Sequence, residues 1–198
     1  MDEEAGQIVV EDEPEPEPDP EREARRRFAL AQIRQHPDPV LRMQAREVES
    51  FDDDLARLVE RMEHLMVEAA GVGLAANQVG VVRRVFVFRR AREDDVDETV
   101  AVVNPRVVKQ SDELELDDEG CLSLQGVLVP VERRVALAVE AQDLTGAELS
   151  LELDGLTARV VQHELDHLDG VLILDRTTPE ARREALATLR PQPVLGLH

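Results

Sequence analysis

The run Val160-Val161-Gln162-His163-Glu164-Leu165-Asp166-His167-Leu168-Asp169-Gly170 constrains this chain more than any other part of it. On an α-helix, residues four apart lie about 40° from each other and one turn apart, so His163 and His167 project from one face. That spacing suits two ligands of a single divalent ion. Glu164, one step round, reaches a water in an open coordination position without binding the ion itself. Leu156, Val160, Val161, Leu165 and Leu168 recur at helical spacing and predict that this helix is buried. Gly170 supplies its C-terminal stop. The competing reading, a helix carrying two ordinary surface histidines, does not account for that apolar setting.

A catalytic ion held in this way needs a third protein ligand. One metalloprotease spacing places it six residues after the second histidine, where Ile173 stands here. Another uses a glutamate about twenty residues on, where this chain has Ala187; Glu180 and Glu184 fall in a separate C-terminal segment. The chain's single cysteine, Cys121, lies within Glu119-Gly120-Cys121-Leu122-Ser123. On residue chemistry alone it is a ligand, a nucleophile or a small core residue.

A length of 198 residues suits one domain with a sizeable core. Tyr and Trp are absent and there are four Phe, so that core has to be built from Leu, Val, Ile and Ala. A net charge of −20 argues against a general grip on nucleic acid and against DNA as a partner. One cysteine excludes an internal disulfide framework and fits a reducing compartment. There is no membrane-length apolar run and no signal peptide, so a soluble cytoplasmic protein is expected.

Ten of residues 1–21 are Asp or Glu, and Glu13 to Pro20 alternates acid with proline. Such a segment repels itself and buries too little to offset its ordering entropy, so residues 1–27 read as a disordered acidic tail ending in the basic patch Arg22 to Arg27. The globular part is expected from Phe28, over 28–190, with 191–198 as a C-terminal tail. Pro37 and Pro39 make His36 a loop residue. Ser50, with Asp53 three residues on, predicts a helix start. Leu55, Leu58, Val59, Met62, Leu65, Met66 and Ala69 mark that helix's apolar face, His64 lies off it, and Gly71 ends it.

The stretch Gly71-Val72-Gly73-Leu74-Ala75-Ala76-Asn77-Gln78-Val79-Gly80 lacks bulk, so a backbone or a substrate can approach it closely, and the Gln78 amide can donate to an oxygen. Strand-like runs follow at Val85–Phe88, Val100–Val103, Val107–Val108, Glu113–Leu116, Val127–Val129, Val135–Val139 and Leu149–Leu153, with a charged turn from Arg92 to Glu98. Val171 to Leu174 reads as a short strand and Pro179 to Leu189 as a terminal helix. The class is α+β, with antiparallel β-sheets packed around the central metal-binding helix.

Together, Gly71 to Gln78, Glu119 to Ser123 and Gln162 to His167 resemble the three signatures of the peptide deformylase family, in the family's order. Asp38-Pro39-Val40-Leu41-Arg42 is similar to its N-terminal segment. The resemblance spans about residues 28 to 190. It implies that Cys121, His163 and His167 hold one divalent ion, Fe²⁺ first, with Zn²⁺, Ni²⁺ or Co²⁺ as alternatives in purified protein. It further implies that Glu164 carries protons while Gln78 and the Leu122 backbone N–H hold the oxyanion. The implied activity is removal of the N-formyl group from the N-terminal formylmethionine of newly made polypeptides, releasing formate. The peptide is expected along Gly71–Gly73, with Val72, Gly73, Leu156 and Val160 binding substrate. Ribosome association is also implied, through Arg182, Arg183 and Arg190. The chain departs from the family's pattern at Leu124-Gln125 and at Val131, where many members carry an arginine that pairs with the glutamate matching Glu119. Arg133 or Arg134 is the candidate replacement.

Overall fold

The computed structural model describes residues 19–90 and 98–189. The acidic run up to residue 18, residues 91–97 with most of the expected charged turn, Arg190 and the residues after it lie outside the described residues, while Glu98, expected in that turn, opens a strand. Among the described residues there are four α-helices and seven strands: α1 Pro20–Leu30, α2 Asp53–Glu68, β1 Gly73–Ala75, β2 Val85–Arg90, β3 Glu98–Gln110, β4 Leu114–Gly120, β5 Leu128–Arg134, β6 Ala136–Gln142, β7 Glu148–Asp154, α3 Gly155–Leu168 and α4 Pro179–Thr188. The chain is α+β with antiparallel sheets, one five-stranded in the order β1-β2-β3-β6-β7 and one two-stranded, β4-β5.

Strand β2 shows how the layers assemble. Its Val-Phe-Val-Phe run is buried on both faces, as a strand covered on both sides requires. Val85 and Val87 pack with Leu55, Val59, Met62 and Leu65 of α2. Phe86 and Phe88 point the other way, against Val161, Leu165 and Leu168 of α3. The large sheet is thus held between α2 and α3. A third cluster seats the small sheet against the C-terminal segment through Leu124, Val129, Val131, Ile173, Leu174 and Ala185.

Several expectations are corrected. The cap of α2 is Asp52, whose carboxylate accepts from Leu55 N–H at 3.0 Å, rather than Ser50. The helix ends at Glu68, and the left-handed residue after it is Ala70, at φ 56°, not Gly71. Val100–Val103 and Val107–Val108 belong to one strand, β3, whose register against β6 shifts on either side of Val107. Val171 to Leu174 forms no strand. Ile173–Asp175 is a 3-10 turn: Asp175 N–H donates to Leu172 O at 2.8 Å, and the Asp175 carboxylate takes the Leu172 N–H at 2.9 Å, a donor that a strand ladder would use. Residues 20–27, read with the tail, are helical: Asp19 caps α1 and Pro20 opens it, while Phe28 is 72% exposed and Ala29 is buried. No helix among the described residues is long and apolar enough to cross a membrane.

Candidate active site

Helix α3 carries both histidines as its period requires, with ring centroids 4.9 Å apart. Strand β4 ends at Gly120 and delivers Cys121 beside them, its Sγ 3.2 Å from His167 Nε2. One ligand atom from each of Cys121, His163 and His167 lies within 4.8 Å of the others, so one ion can be shared. His163 Nδ1–H donates to Glu119 Oε2 at 3.0 Å, which fixes the tautomer and leaves Nε2 for the site. The donor set, one thiolate and two imidazoles, suits a first-row transition ion and not Mg²⁺ or Ca²⁺.

The electrostatics point the same way. Burial pushes His163 down, but the hydrogen bonds it donates to Cys121 and Glu119 more than offset that, so the ring is held well above its ordinary range. Anionic groups that favour a proton there favour a cation equally. Burial holds His167 well below its ordinary range, in the neutral form a ligand needs. Burial also pushes the Glu164 carboxyl up to about 7, against the opposing charge of His163. Glu164 Oε2 is buried with no hydrogen-bond partner among the described residues, a polar atom that a bound group or water would satisfy.

Glu119 anchors a buried ionic network that sequence reasoning saw only in part. Arg133 donates to both its oxygens, Nε to Oε1 and Nη2 to Oε2, each at 2.9 Å. Of the two candidates, then, Arg133 makes this pair; Arg134 is bound through its backbone by Gln162. Burial raises the Glu119 carboxyl, but Arg133 and His163 overcome it and bring it to about 2. Arg159 adds a bond at 3.0 Å. Asp166, inside the histidine motif, accepts from Arg133 Nη1 at 2.6 Å and from Arg176 Nη2 at 2.6 Å. Arg159 and Asp166 were not singled out. The available signal was charge on the apolar side of a helix, where a residue must be paired.

Gln78 sits in the 3-10 turn Ala76–Val79. Its Oε1 accepts from Ala75 N–H at 2.8 Å, which aims Nε2 at Ser123 Oγ, 3.1 Å, and at Cys121 Sγ, 3.7 Å. The neighbouring Asn77 ties the end of α3 down through His167 O at 2.6 Å. Gly73 makes room for the Glu164 carboxylate: a Cβ there would stand 2.3 Å from Glu164 Oε1.

Val72, Gly73, Leu122, Leu156, Val160 and Glu164 share the wall of one cavity of about 710 Å³ with Cys121 and His163. Leu156 departs from the expected buried stripe and is 69% exposed, because the apolar positions of α3 divide between two faces. Val161, Leu165 and Leu168 meet the sheet, Leu156 looks into the cavity, and Val160 borders both. His36 and His64 lie outside the cluster.

Fold and site together fit a metal-binding hydrolase of the α+β class, with two of the three candidate ligands on one central helix. The family model for polypeptide deformylase matches residues 30–183. A peptide deformylase of Desulforudis audaxviator is 42% identical over 157 residues, covering 79% of this chain and 99% of that protein. One from Thermotoga sp. (strain RQ2) is 45% identical over 151 residues, covering 76% and 89%. Among solved structures, peptide deformylase 1B of Arabidopsis thaliana in complex with an inhibitor superposes with a TM-score of 0.75 at 40% identity, over 80% of this chain and 89% of the other. The chain belongs to the peptide deformylase family, and it is a deformylase, a metal-binding hydrolase.

Proposed function

We propose that this protein hydrolyses the formyl amide at the N-terminus of newly made polypeptides through Glu164, with Cys121, His163 and His167 as the ligands of one divalent ion. The observation that carries the reading is the convergence of Cys121 Sγ with the two imidazoles beside a buried, unpartnered Glu164 oxygen. An ion held by these three residues supplies polarisation of the formyl oxygen and a water acidified towards a pKa of about 7.

The remaining work falls to the chain. The Glu164 carboxylate takes a proton from the attacking water and passes it to the α-amine as the C–N bond breaks, giving formate and a free N-terminus. Burial raises this carboxyl, which makes it a stronger proton acceptor than an exposed glutamate. Gln78 Nε2 and the Leu122 backbone N–H donate to the oxygen that gains charge at the formyl carbon, an arrangement worth about 10²–10³ in turnover per donor. Ser123 and the Ala75 N–H hold the Gln78 amide in orientation. Val72, Leu156 and Val160 line the space beside this centre and receive the methionine side chain, and the peptide lies along Gly71–Gly73.

The resident ion is Fe²⁺, with Zn²⁺, Ni²⁺ or Co²⁺ as replacements in purified protein, consistent with the mixed sulfur and nitrogen donors. The protein works in the cytoplasm on chains emerging from the ribosome, with Arg182 and Arg183 of α4 as the contact; α4 presents both at the surface. The test is formate release from formyl-Met peptides beside unformylated ones, with metal analysis of anaerobically prepared protein. Formate with an intact peptide bond is expected; cleavage of internal peptide bonds, or bound metal with no formate, overturns the reading.

A further inference from the structure

Helix α1 lies almost wholly outside the span that the family model matches, residues 30–183, yet it helps to wall the active cavity through Arg26 and Leu30. It docks on α2 by way of Ala29, in one core cluster with Met62, Leu65 and Met66. Arg26 Nε donates to Ala69 O at 3.4 Å, at the turn that leads through Ala70, Gly71 and Val72 into β1. The preceding Arg25 pairs with Glu68 at 3.3 Å. Arg26 is exposed, and among the described residues no carboxylate pairs with it.

We infer that Arg26 is a specificity-determining residue that reads the third and fourth residues of the substrate and favours acidic side chains there. The inference rests on the deformylase reading above. Strand β1 is the edge of the large sheet, hydrogen-bonded on one side only, to β2. The reacting end of a substrate is fixed by Glu164, which stands against Gly73. A peptide added antiparallel to β1 therefore leaves Gly73 in the direction of Val72, Gly71 and Ala70 and runs out beneath α1. Leu30 gives that path an apolar wall and Arg26 places a guanidinium over it. Arg22, one turn back on the same helix face, continues the stripe outward. The net charge of −20 repels an acidic peptide, and Asp118 also lines this cavity, so a local cation on the exit path is what admits one.

The test uses the full chain loaded anaerobically with Fe²⁺ and three substrates: formyl-Met-Ala-Asp-Asp, formyl-Met-Ala-Ala-Ala and formyl-Met-Ala-Lys-Lys. In the unsubstituted protein the Asp peptide is expected to exceed the Lys peptide in kcat/KM. In Arg26→Glu that ratio falls by about fivefold or more, through KM, and the fall shrinks in about 0.5 M salt, as for exposed ion pairs. Arg27→Glu, the same charge change at a neighbouring position that does not line the cavity, should leave the ratio in place. An unchanged ratio in Arg26→Glu, or equal shifts in both variants, overturns the role of Arg26 while leaving the deformylase reading intact. Absence of formate from all three peptides with the unsubstituted protein defeats that reading and this inference with it.

Discussion

Replacing Gly73 by alanine sets a methyl group against the Glu164 carboxylate, the group proposed to carry protons. The new Cβ would stand 2.3 Å from Glu164 Oε1, 2.9 Å from Cδ and 3.0 Å from Cγ. Unstrained contacts run at about 3.5–4.0 Å, so the carboxylate has to retreat by about 1 Å. The direction of retreat decides which property suffers. Glu164 borders an open cavity, and its Oε2 has no hydrogen bond among the described residues to hold it back. It therefore swings outward, and the loss of fold stability stays near the lower end for overpacking, about 1 kcal/mol. Gly73 is outside the left-handed region, so alanine adds no backbone strain. Catalysis is less forgiving, since a displacement of about 1 Å costs about 10²-fold. The assay is steady-state formate release by Gly73→Ala, with metal content and thermal midpoint measured on the same sample. A fall in kcat with metal retained is expected. If the methyl merely obstructed the peptide, KM would rise and kcat would hold. A kcat within about threefold of the unsubstituted protein, at full metal content, would falsify the steric argument.

Glu164→Ala is expected to keep its metal and lose about 10²–10⁴-fold in turnover; substantial residual activity in a metal-replete sample removes Glu164 as proton carrier. Cys121→Ser should lower the metal bound per chain and, with it, activity, because a hydroxyl is a far poorer ligand than a thiolate for these ions. Unchanged metal content in Cys121→Ser would take the sulfur out of the ligand set. Arg133→Met leaves Glu119 and Asp166 buried without their shared partner. Breaking such a pair costs about 3–5 kcal/mol, and the lower end is expected because Arg159 and Arg176 still hold one carboxylate each. Urea unfolding measures it, and a loss under about 1 kcal/mol would mean that the network adds little. If the ion is the proposed Fe²⁺, activity in air should decline faster than under reducing, anaerobic conditions, as the metal and its thiolate oxidise; equal half-lives in the two atmospheres speak against an iron–thiolate centre.

What could be read from the chain alone followed from local geometry. The helical period puts His163 and His167 on one face wherever the helix packs, and Glu164 follows by adjacency. The same period misled at Leu156. Periodicity reports that a position is apolar and on a given side, not whether another element covers that side. Here the sheet covers Val161 and Leu165, and a cavity opens in front of Leu156 and Val160. The choice between Arg133 and Arg134 was equally out of reach, since a one-residue slip in strand register exchanges the two faces. The pairing of β5 with β4 settles it by turning Arg133 inward to Glu119, where it is 6% exposed.

Cys121 marks the same boundary. Its residue chemistry left three fates open, and its partner His167 is 46 positions away. The pairing of His163 with His167, the face they share on α3 and the apolar stripe behind it were determined by the sequence through interactions within a few residues. The approach of the sulfur to the imidazoles, the space Gly73 leaves for Glu164 and the Arg133 clamp on Glu119 were decided by tertiary structure. Each joins segments that only sheet register and helix docking bring together, and no local propensity encodes that distance.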